Sequence, residues 1–168
     1  MPESADDNRY LGIYLNDHLA LAAGGVELAR RLRSSNEGDP VTGEPLARIC
    51  AEVEADRETL VRLMEWLGVR RDPVKPKLAV VAERLGRLKP NGQLRGYSPL
   101  SRVLELEILA SGIGGKLQLW NSLEQTFGDS LDGFDFHALA ERADRQGQEV
   151  EDLHIAAANR AFPSPSRS

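Results

Sequence analysis

Six ionisable side chains fall on or beside the apolar stripes that this sequence forms at helical spacing, where an isolated charge is costly to bury. Such residues usually pair with one another or bind something. Carboxylates and imidazoles that project inward from several helices are the ligand types of a bundle metal site, and this set would suit iron, manganese or zinc. The candidate ligands are His18, Glu52, Asp56, Glu107, Glu151 and His154.

Height along the helices sorts these candidates, because a helix rises about 1.5 Å per residue. Each helix carries one candidate on or beside its inner face, namely His18, Asp56, Glu107 and His154. The heights of these four residues spread over about 13 Å, which is too wide for one compact metal site. The spacing favours Glu107, Glu151 and His154 as neighbours, with Glu52 at a similar height. His18 is expected to lie at the periphery of any such site.

A structural role is the alternative for each candidate. A histidine on an apolar face is more often a hydrogen-bonded core residue than a ligand, and this applies to His18. Asp56 can pair with its neighbour Arg57, and Glu107 can meet an arginine from another helix. The inner polar residues would then form a network that supports the bundle.

Four helices are predicted to position these residues, because caps and breakers divide the chain. Leu and Ala supply 42 residues, which favours helix. Breakers run from Ser34 to Pro40, Gly68 ends the second helix, Ser98-Pro99 begins the third, and Gly128 ends it. The predicted helices span about 8–34, 43–68, 98–127 and 132–161, between a polar lead-in over 1–7, where residue 7 or 8 caps the first helix, and a disordered tail over 162–168.

The connection over 69–97 is long enough to run the length of a bundle, whereas the other two turns are short. Short turns make antiparallel hairpins, and a long crossover between two hairpins makes the second and third helices parallel. Residues 77–88 are predicted to form a short amphipathic helix within this crossover. The predicted fold is therefore an all-α four-helix bundle of two antiparallel hairpins, which forms one domain over 8–161.

Charge singles out the same crossover. It holds eight basic residues and two acids, a net charge of +6, while the rest of the chain carries −11. A basic stretch can bind nucleic acid or another anion. Because the chain as a whole is acidic and has no nucleic-acid-binding motif, we favour a strap held against an acidic bundle. The basic residues are Arg70, Arg71, Lys75, Lys77, Arg84, Arg87, Lys89 and Arg95.

Composition excludes several classes of protein. Cys50 is alone, which excludes a disulfide scaffold, and no apolar run is long enough to cross a membrane. The acidic N-terminus does not resemble a secretory signal, so a reduced, cytoplasmic setting is expected. A homo-oligomer is compatible with this composition.

Glycines interrupt two of the predicted helices, at Gly24-Gly25 and over 112–115. They follow no strand, so they are not phosphate-binding loops. We expect close helix–helix approach at Gly25 and Gly114, which both lie on inner stripes. The alternative is that these glycines leave space for a small ligand.

Two hairpins, a long crossover, and inward carboxylates and histidines together resemble the ferritin-like superfamily. In its metal-binding members, carboxylates of the first and third helices join a Glu-x-x-His from each of the second and fourth. That set binds a di-iron or di-manganese centre for oxidation, oxygen handling or iron storage. The resemblance implies that Glu107 is the third-helix carboxylate and that Glu151 and His154 are the fourth-helix pair.

The match to the superfamily's ligand pattern is incomplete. Ala55 stands three residues after Glu52, where a histidine is required, and Glu27 of the first helix lies on the face opposite His18. We therefore predict a ferritin-like bundle without a standard di-iron site, carrying a reduced or altered site for iron or manganese. The alternative is a non-enzymatic helical protein that acts through self-association or partner association, followed by anion or nucleic-acid binding through the crossover.

Overall fold

Four helices make up most of residues 5–72 and 97–162, which are the residues that the computed structural model describes. These ranges contain no strand, so the predicted all-α four-helix fold is confirmed for them. No helix in them combines the length and apolarity needed to cross a membrane. The predicted helix over 77–88 and the tail after Phe162 lie outside the described residues. The elements are α1 (Ala5–Asn36), α2 (Gly43–Trp66), α3 (Pro99–Phe127), a 3-10 turn (Gly128–Ser130) and α4 (Phe136–Ala161).

The helix ends follow the caps of the sequence, with one exception. Ser98 accepts a hydrogen bond from the backbone N–H of Ser101 at the start of α3, at 3.0 Å. Asp135 accepts one from the N–H of Ala138 at the start of α4, at 2.9 Å. The predicted beginning of the first helix is wrong, because α1 begins at Ala5 and includes the residues expected to cap it. Acidic residues are favourable within the first turn as well as before it, so the pattern fits both boundaries.

Contacts at the end of the bundle that holds the α1–α2 turn, here the upper end, fix the helix directions. Asp39 in this turn pairs with Arg102 in the first turn of α3 and with Arg160 near the end of α4, each at 3.1 Å. At the lower end, Asn16 of α1 donates to the carbonyl of Arg70 after α2, at 3.0 Å. Thus α2 and α3 both begin at the upper end and run parallel, and α1 and α4 end there. The long connection joins the lower end of α2 to the upper end of α3, as its length predicts.

The apolar core consists of two clusters, one above the other. Both clusters draw side chains from all four helices, so they bury the inner faces of both hairpins together. The upper cluster is centred on Leu28, Leu32, Ile49, Leu106, Leu109 and Val150. The lower cluster is centred on Leu15, Leu19, Leu63, Met64, Trp120 and Phe136.

The buried face of α3 differs from the predicted one. The sequence placed Glu107 and Gly114 on the inner stripe, yet both are exposed. The buried stripe runs through Leu106, Ile113 and Trp120 instead. Apolar residues surround this helix on nearly every side, so the wheel gives no single face to orient it.

A buried carboxylate that the sequence did not single out lies in the upper half of the bundle. Glu105 of α3 pairs with Arg31 of α1 at 2.8 Å and accepts a hydrogen bond from the Tyr97 hydroxyl at 3.0 Å. Burial raises the pKa of Glu105, while Arg31 and Tyr97 oppose that rise. Burial also raises the pKa of Tyr97 to about 12. This pairing joins α1 to α3 near the upper end of the bundle.

Candidate functional site

Two of the predicted metal ligands, Glu107 and His154, are in contact. Their Oε1 and Nε2 atoms lie 3.1 Å apart across α3 and α4, so their predicted proximity is confirmed. Both lie at the surface, with 51% of the Glu107 side chain and 28% of the His154 side chain exposed. Glu151 is exposed one turn before His154. The predicted inward position of Glu107 is therefore wrong, and these residues form a surface pair.

Five other side chains form a polar layer at mid-height, between the two apolar clusters. The layer consists of Glu52, Asp56, Lys116, Arg142 and Gln146. Asp56 is 2% exposed, and its two carboxylate oxygens accept hydrogen bonds from Lys116 and Arg142. Gln146 accepts from Lys116 and donates to Glu52 at 2.7 Å. The layer therefore connects α2 to both helices of the second hairpin.

This layer does not fit a di-iron or di-manganese centre. Lys116 and Arg142 bind both oxygens of Asp56, so protein cations already neutralise the carboxylate that a metal would need. Over residues 5–72 and 97–162, no three His, Cys, Asp or Glu side chains are grouped so that they could hold a metal ion. The expected pairing of Asp56 with Arg57 is replaced by partners on α3 and α4, because the carboxylate points into the bundle.

His18, the remaining candidate, contacts an aromatic ring on its own helix. Its imidazole lies edge-on to Tyr14, with 4.6 Å between the ring centroids and 69° between the ring planes. Burial lowers the pKa of His18, although the charge of Asp17 opposes this shift. The ring lies on the wall of a cavity and favours the neutral form there.

The cavity lies between α1, α2 and α3 and has a volume of about 250 Å³. It reaches the surface at Leu21, Ser111 and Gly112, which are exposed. Most of its wall is apolar, and the apolar side chains include Leu28, Val53, Leu60, Ile108, Leu109 and Ile113. A largely apolar cavity with a few polar groups is the common form of a small-molecule site.

Glycines of α1 and α3 form part of this wall. A Cβ atom added at Gly25, Gly112 or Gly115 would meet no other group within 4 Å. The same holds at Gly114, which faces away from the cavity. The expectation of close helix–helix approach at Gly25 and Gly114 is therefore wrong. The alternative, that the glycines leave space, is what the geometry of Gly25, Gly112 and Gly115 supports.

Two residues of the cavity wall, Lys116 and Trp120, have an N–H group without an acceptor among the described residues. Lys116, with 14% of its side chain exposed, donates to Asp56 and Gln146, and an ammonium group has three donors. Trp120 is 1% exposed, and its indole N–H has no acceptor among the described residues. Burial lowers the pKa of Lys116, whereas the neighbouring Asp56 raises it. Both residues lie on α3, one turn apart, in the wall of the lower half of the cavity, and the indole nitrogen of Trp120 is itself buried and does not open into the cavity.

Sequence reasoning missed three side chains of the cavity wall and the polar layer: Lys116, Trp120 and Gln146. Lys116 and Trp120 share the face of Leu109 and Ile113, but this face was not the stripe chosen for α3. Gln146 lies beside the predicted inner stripe of α4, which runs from Ala143 to Gly147. A search of every stripe for any polar residue, rather than for metal ligands alone, would have found it.

No match was found in the protein-family models, the curated proteins or the solved structures. The ferritin-like relationship therefore stays a prediction. The cavity and the polar layer beside it are the features from which a function follows.

Proposed function

We propose that this chain is a binding protein for a small, mainly apolar organic molecule, which it holds in the cavity between α1, α2 and α3. The observation that carries this proposal is the open space beside three wall glycines. At Gly25, Gly112 and Gly115 a methyl group would fit without contact to any other group. None of the three is therefore needed for helix packing.

These glycines have an energetic cost that packing does not offset. A glycine within a helix destabilises it by about 0.5–1 kcal/mol relative to alanine. Three of them around one cavity, on α1 and α3, together cost about 1.5–3 kcal/mol, which is a large part of the net stability of an ordinary domain. The space they leave is the one property of this wall that alanine would remove.

The size and chemistry of the cavity favour an organic ligand. An apolar cavity of about 150 Å³ holds a benzene molecule and stays dry without it. The volume here, about 250 Å³, suits a larger molecule with a ring system or a medium-length chain. Burying its apolar surface would supply about 25 cal/mol per Å².

The proposed binding function is compatible with a ferritin-like ancestry. In such a bundle the metal would lie among inward carboxylates and histidines, and here Lys116 and Arg142 stand beside the inward carboxylate of Asp56. We infer that the reduced site predicted from the sequence has been replaced by a charge-paired layer, and that a neighbouring cavity carries the function.

The test uses the neutral fluorescent compound N-phenyl-1-naphthylamine and two leucine variants at adjacent positions of α3. Gly115→Leu fills the cavity, whereas Gly114→Leu places the same side chain outside it. We expect one saturable site in the natural protein, an affinity lowered by about tenfold or more in Gly115→Leu, and little change in Gly114→Leu.

A second cavity variant, Gly25→Leu on α1, checks the result from the opposite wall, and circular dichroism verifies that each variant is helical. Saturable binding that both cavity variants weaken supports the proposal. No binding to the natural protein, or equal weakening by Gly114→Leu, would refute it.

A further inference from the structure

The imidazole of His18 is a polar group of the cavity wall that makes no hydrogen bond within residues 5–72 and 97–162. In these ranges, the fully buried nitrogen and oxygen atoms that lack a partner do not include its ring nitrogens. Both ring nitrogens therefore reach open space, whereas the indole nitrogen of Trp120 does not. Because His18 lines the cavity, a molecule bound there can reach its imidazole.

The other polar side chains of the described wall are paired, buried or open to water. Asp56 and Lys116 bind each other, and the Ser111 hydroxyl donates to a backbone carbonyl of its own helix at 2.9 Å. Arg57 is partly exposed, so water can solvate its guanidinium group. Among these groups, His18 is therefore the one with an uncharged ring whose nitrogen atoms are both accessible and without a partner.

His18 stands at the lower end of the part of α1 that lines the cavity. Gly25 follows seven residues later, which is two turns higher on the same helix face and about 10 Å along the axis. The open Cβ position of Gly25 and the apolar side chain of Leu28 continue the wall above the imidazole. A ligand with one polar end can therefore meet His18 and place its apolar part beside Gly25.

The surroundings of His18 disfavour a charged ligand group. Burial lowers the pKa of His18, and the charge of Asp17 beside it does not offset this shift, so the imidazole is neutral at pH 7. A cationic group would meet the same cost of burial as the imidazolium form. An anionic group would meet that cost and the negative charge of Asp17 as well. A neutral group fits this place best.

We propose that the polar end of the ligand is a hydroxyl group, which forms a hydrogen bond with a ring nitrogen of His18 while the apolar part of the ligand lies beside Gly25. This inference rests on the proposed function. A neutral imidazole has one N–H donor and one acceptor nitrogen, and a hydroxyl can pair with either of them. A pure hydrocarbon would cover the imidazole and leave it without a partner, which is costly.

Three ligands with the same ring system test the polar group: 2-naphthol, 2-methylnaphthalene and 2-naphthoate. Displacement of N-phenyl-1-naphthylamine measures the affinity of each. We expect 2-naphthol, which is uncharged at pH 7, to bind about tenfold or more tightly than the charged 2-naphthoate. The hydroxyl and the methyl compound differ in apolar surface, so their affinities are compared between protein variants rather than directly.

Substitution of His18 assigns the hydroxyl to the imidazole. His18→Phe keeps an aromatic ring beside Tyr14 and removes both nitrogens. It should lower the affinity for 2-naphthol by about threefold to tenfold, as expected for one neutral hydrogen bond, and leave that for 2-methylnaphthalene unchanged. His18→Gln keeps a donor and an acceptor and should retain part of the 2-naphthol affinity. His137→Phe is the matched control, because 69% of the His137 side chain is exposed and it lies outside the cavity wall.

Proton NMR gives a second readout, because the chain has three histidines whose ring C–H signals can be followed separately. The signal of His18 is the one that is missing from the spectrum of His18→Phe. We expect 2-naphthol to shift this signal saturably and to leave the signals of His137 and His154 unchanged. A histidine with a purely structural role away from the ligand would show no such shift.

The outcomes separate this inference from the proposed function. If the cavity variants weaken N-phenyl-1-naphthylamine binding but His18→Phe lowers the affinities for 2-naphthol and 2-methylnaphthalene equally, the hydroxyl proposal is wrong and the cavity proposal stands. Tighter binding of 2-naphthoate than of 2-naphthol, or equal effects of His18→Phe and His137→Phe, would also overturn it. If neither N-phenyl-1-naphthylamine nor 2-naphthol binds the natural protein, both proposals fail.

Discussion

At the residue scale, Asp39 has the densest set of partners near the upper end. Its carboxylate accepts hydrogen bonds from the backbone N–H groups of Val41 and Thr42, at 2.9 and 3.0 Å. It also pairs with Arg102 and Arg160. One side chain therefore joins the α1–α2 turn to the beginning of α3 and the end of α4.

These contacts set the pKa of Asp39. Burial alone would raise it, but the hydrogen bonds from Val41 and Thr42 and the charge of Arg102 outweigh burial and hold it well below its usual range. A group whose pKa is depressed by folding contributes stability above its unfolded pKa, about 3.9 for Asp, and loses that contribution as the pH falls below it.

We therefore expect Asp39→Asn to lower the free energy of unfolding by about 1–3 kcal/mol at pH 7. The stability difference from the natural protein should shrink as the pH falls from about 5 to 2, because Asp39 of the unfolded chain takes up a proton in this range while the folded carboxylate stays ionised. Urea unfolding at several pH values measures this. Glu44→Gln is the control, because the Glu44 carboxylate is highly exposed. If the free energy of unfolding changed with pH in the same way in Asp39→Asn and in the natural protein, the depressed pKa of Asp39 would be contradicted.

Individual residues also show where the sequence was informative. Asp56 was placed at the edge of the apolar face of α2, and the structure buries it at that edge, where it is 2% exposed. Glu107 was singled out and Glu105 was not, because the helix that carries both is apolar nearly all round. Only packing against α1 and its Arg31 distinguishes the two carboxylates. Lys116 was not considered, since lysine is rarely buried without a partner. Its partner, Asp56, is 60 residues away in the chain.

At the scale of the helices, the boundaries were the most predictable property. Caps such as Ser98 and Asp135 act through local hydrogen bonds, so the sequence alone specifies them. Helix direction followed from connection lengths. The role of the glycines could not be predicted from the sequence, because a glycine with open space around its Cβ position and a glycine packed against another helix look identical in sequence. The neighbouring helices decide between the two.

Replacement of glycine by alanine is predicted to stabilise the protein at some positions and to destabilise it at another. Alanine at Gly25, Gly112 or Gly115 should raise the free energy of unfolding by about 0.5–1 kcal/mol each, through helix propensity, because the new methyl group meets nothing. Alanine at Gly43 should lower it, because the Cβ would lie 3.0 Å from the carbonyl oxygens of Asn36 and Glu37. Thermal and urea unfolding measure both. Stability lost at the wall glycines would show that they pack against something.

At the scale of the whole molecule, the polar layer divides the core into an upper and a lower part. Its charges are paired between hairpins, with Asp56 on α2 and its cations on α3 and α4. A buried ion pair adds little to stability compared with apolar packing, but the loss of one partner leaves an uncompensated charge. Removal of one charged partner from the layer is therefore expected to destabilise the protein more than removal of the whole layer.

We expect Asp56→Leu alone to destabilise the protein by about 3–5 kcal/mol, because Lys116 loses its charged partner in the core. A combined Asp56→Leu, Lys116→Met and Gln146→Leu variant should recover most of that loss, while Arg142 reaches solvent. Urea unfolding of both variants measures the difference. A combined variant no more stable than Asp56→Leu would show that the layer stabilises the bundle through its polar contacts.

The order of charges along α2 and α4 favours one alignment of the two hairpins over alignments shifted along the helix axis. In the native alignment Arg48 meets Glu149, and Glu52 lies beside Arg145 and Gln146. If α2 slid by one turn along α4, either Glu52 would face Glu149 or Arg48 would face Arg145. Like charges would then be opposed at the sliding surface. The order of charges therefore disfavours a pairing of α2 and α4 that is shifted by one turn. Evenly spaced apolar stripes alone would tolerate such a shift.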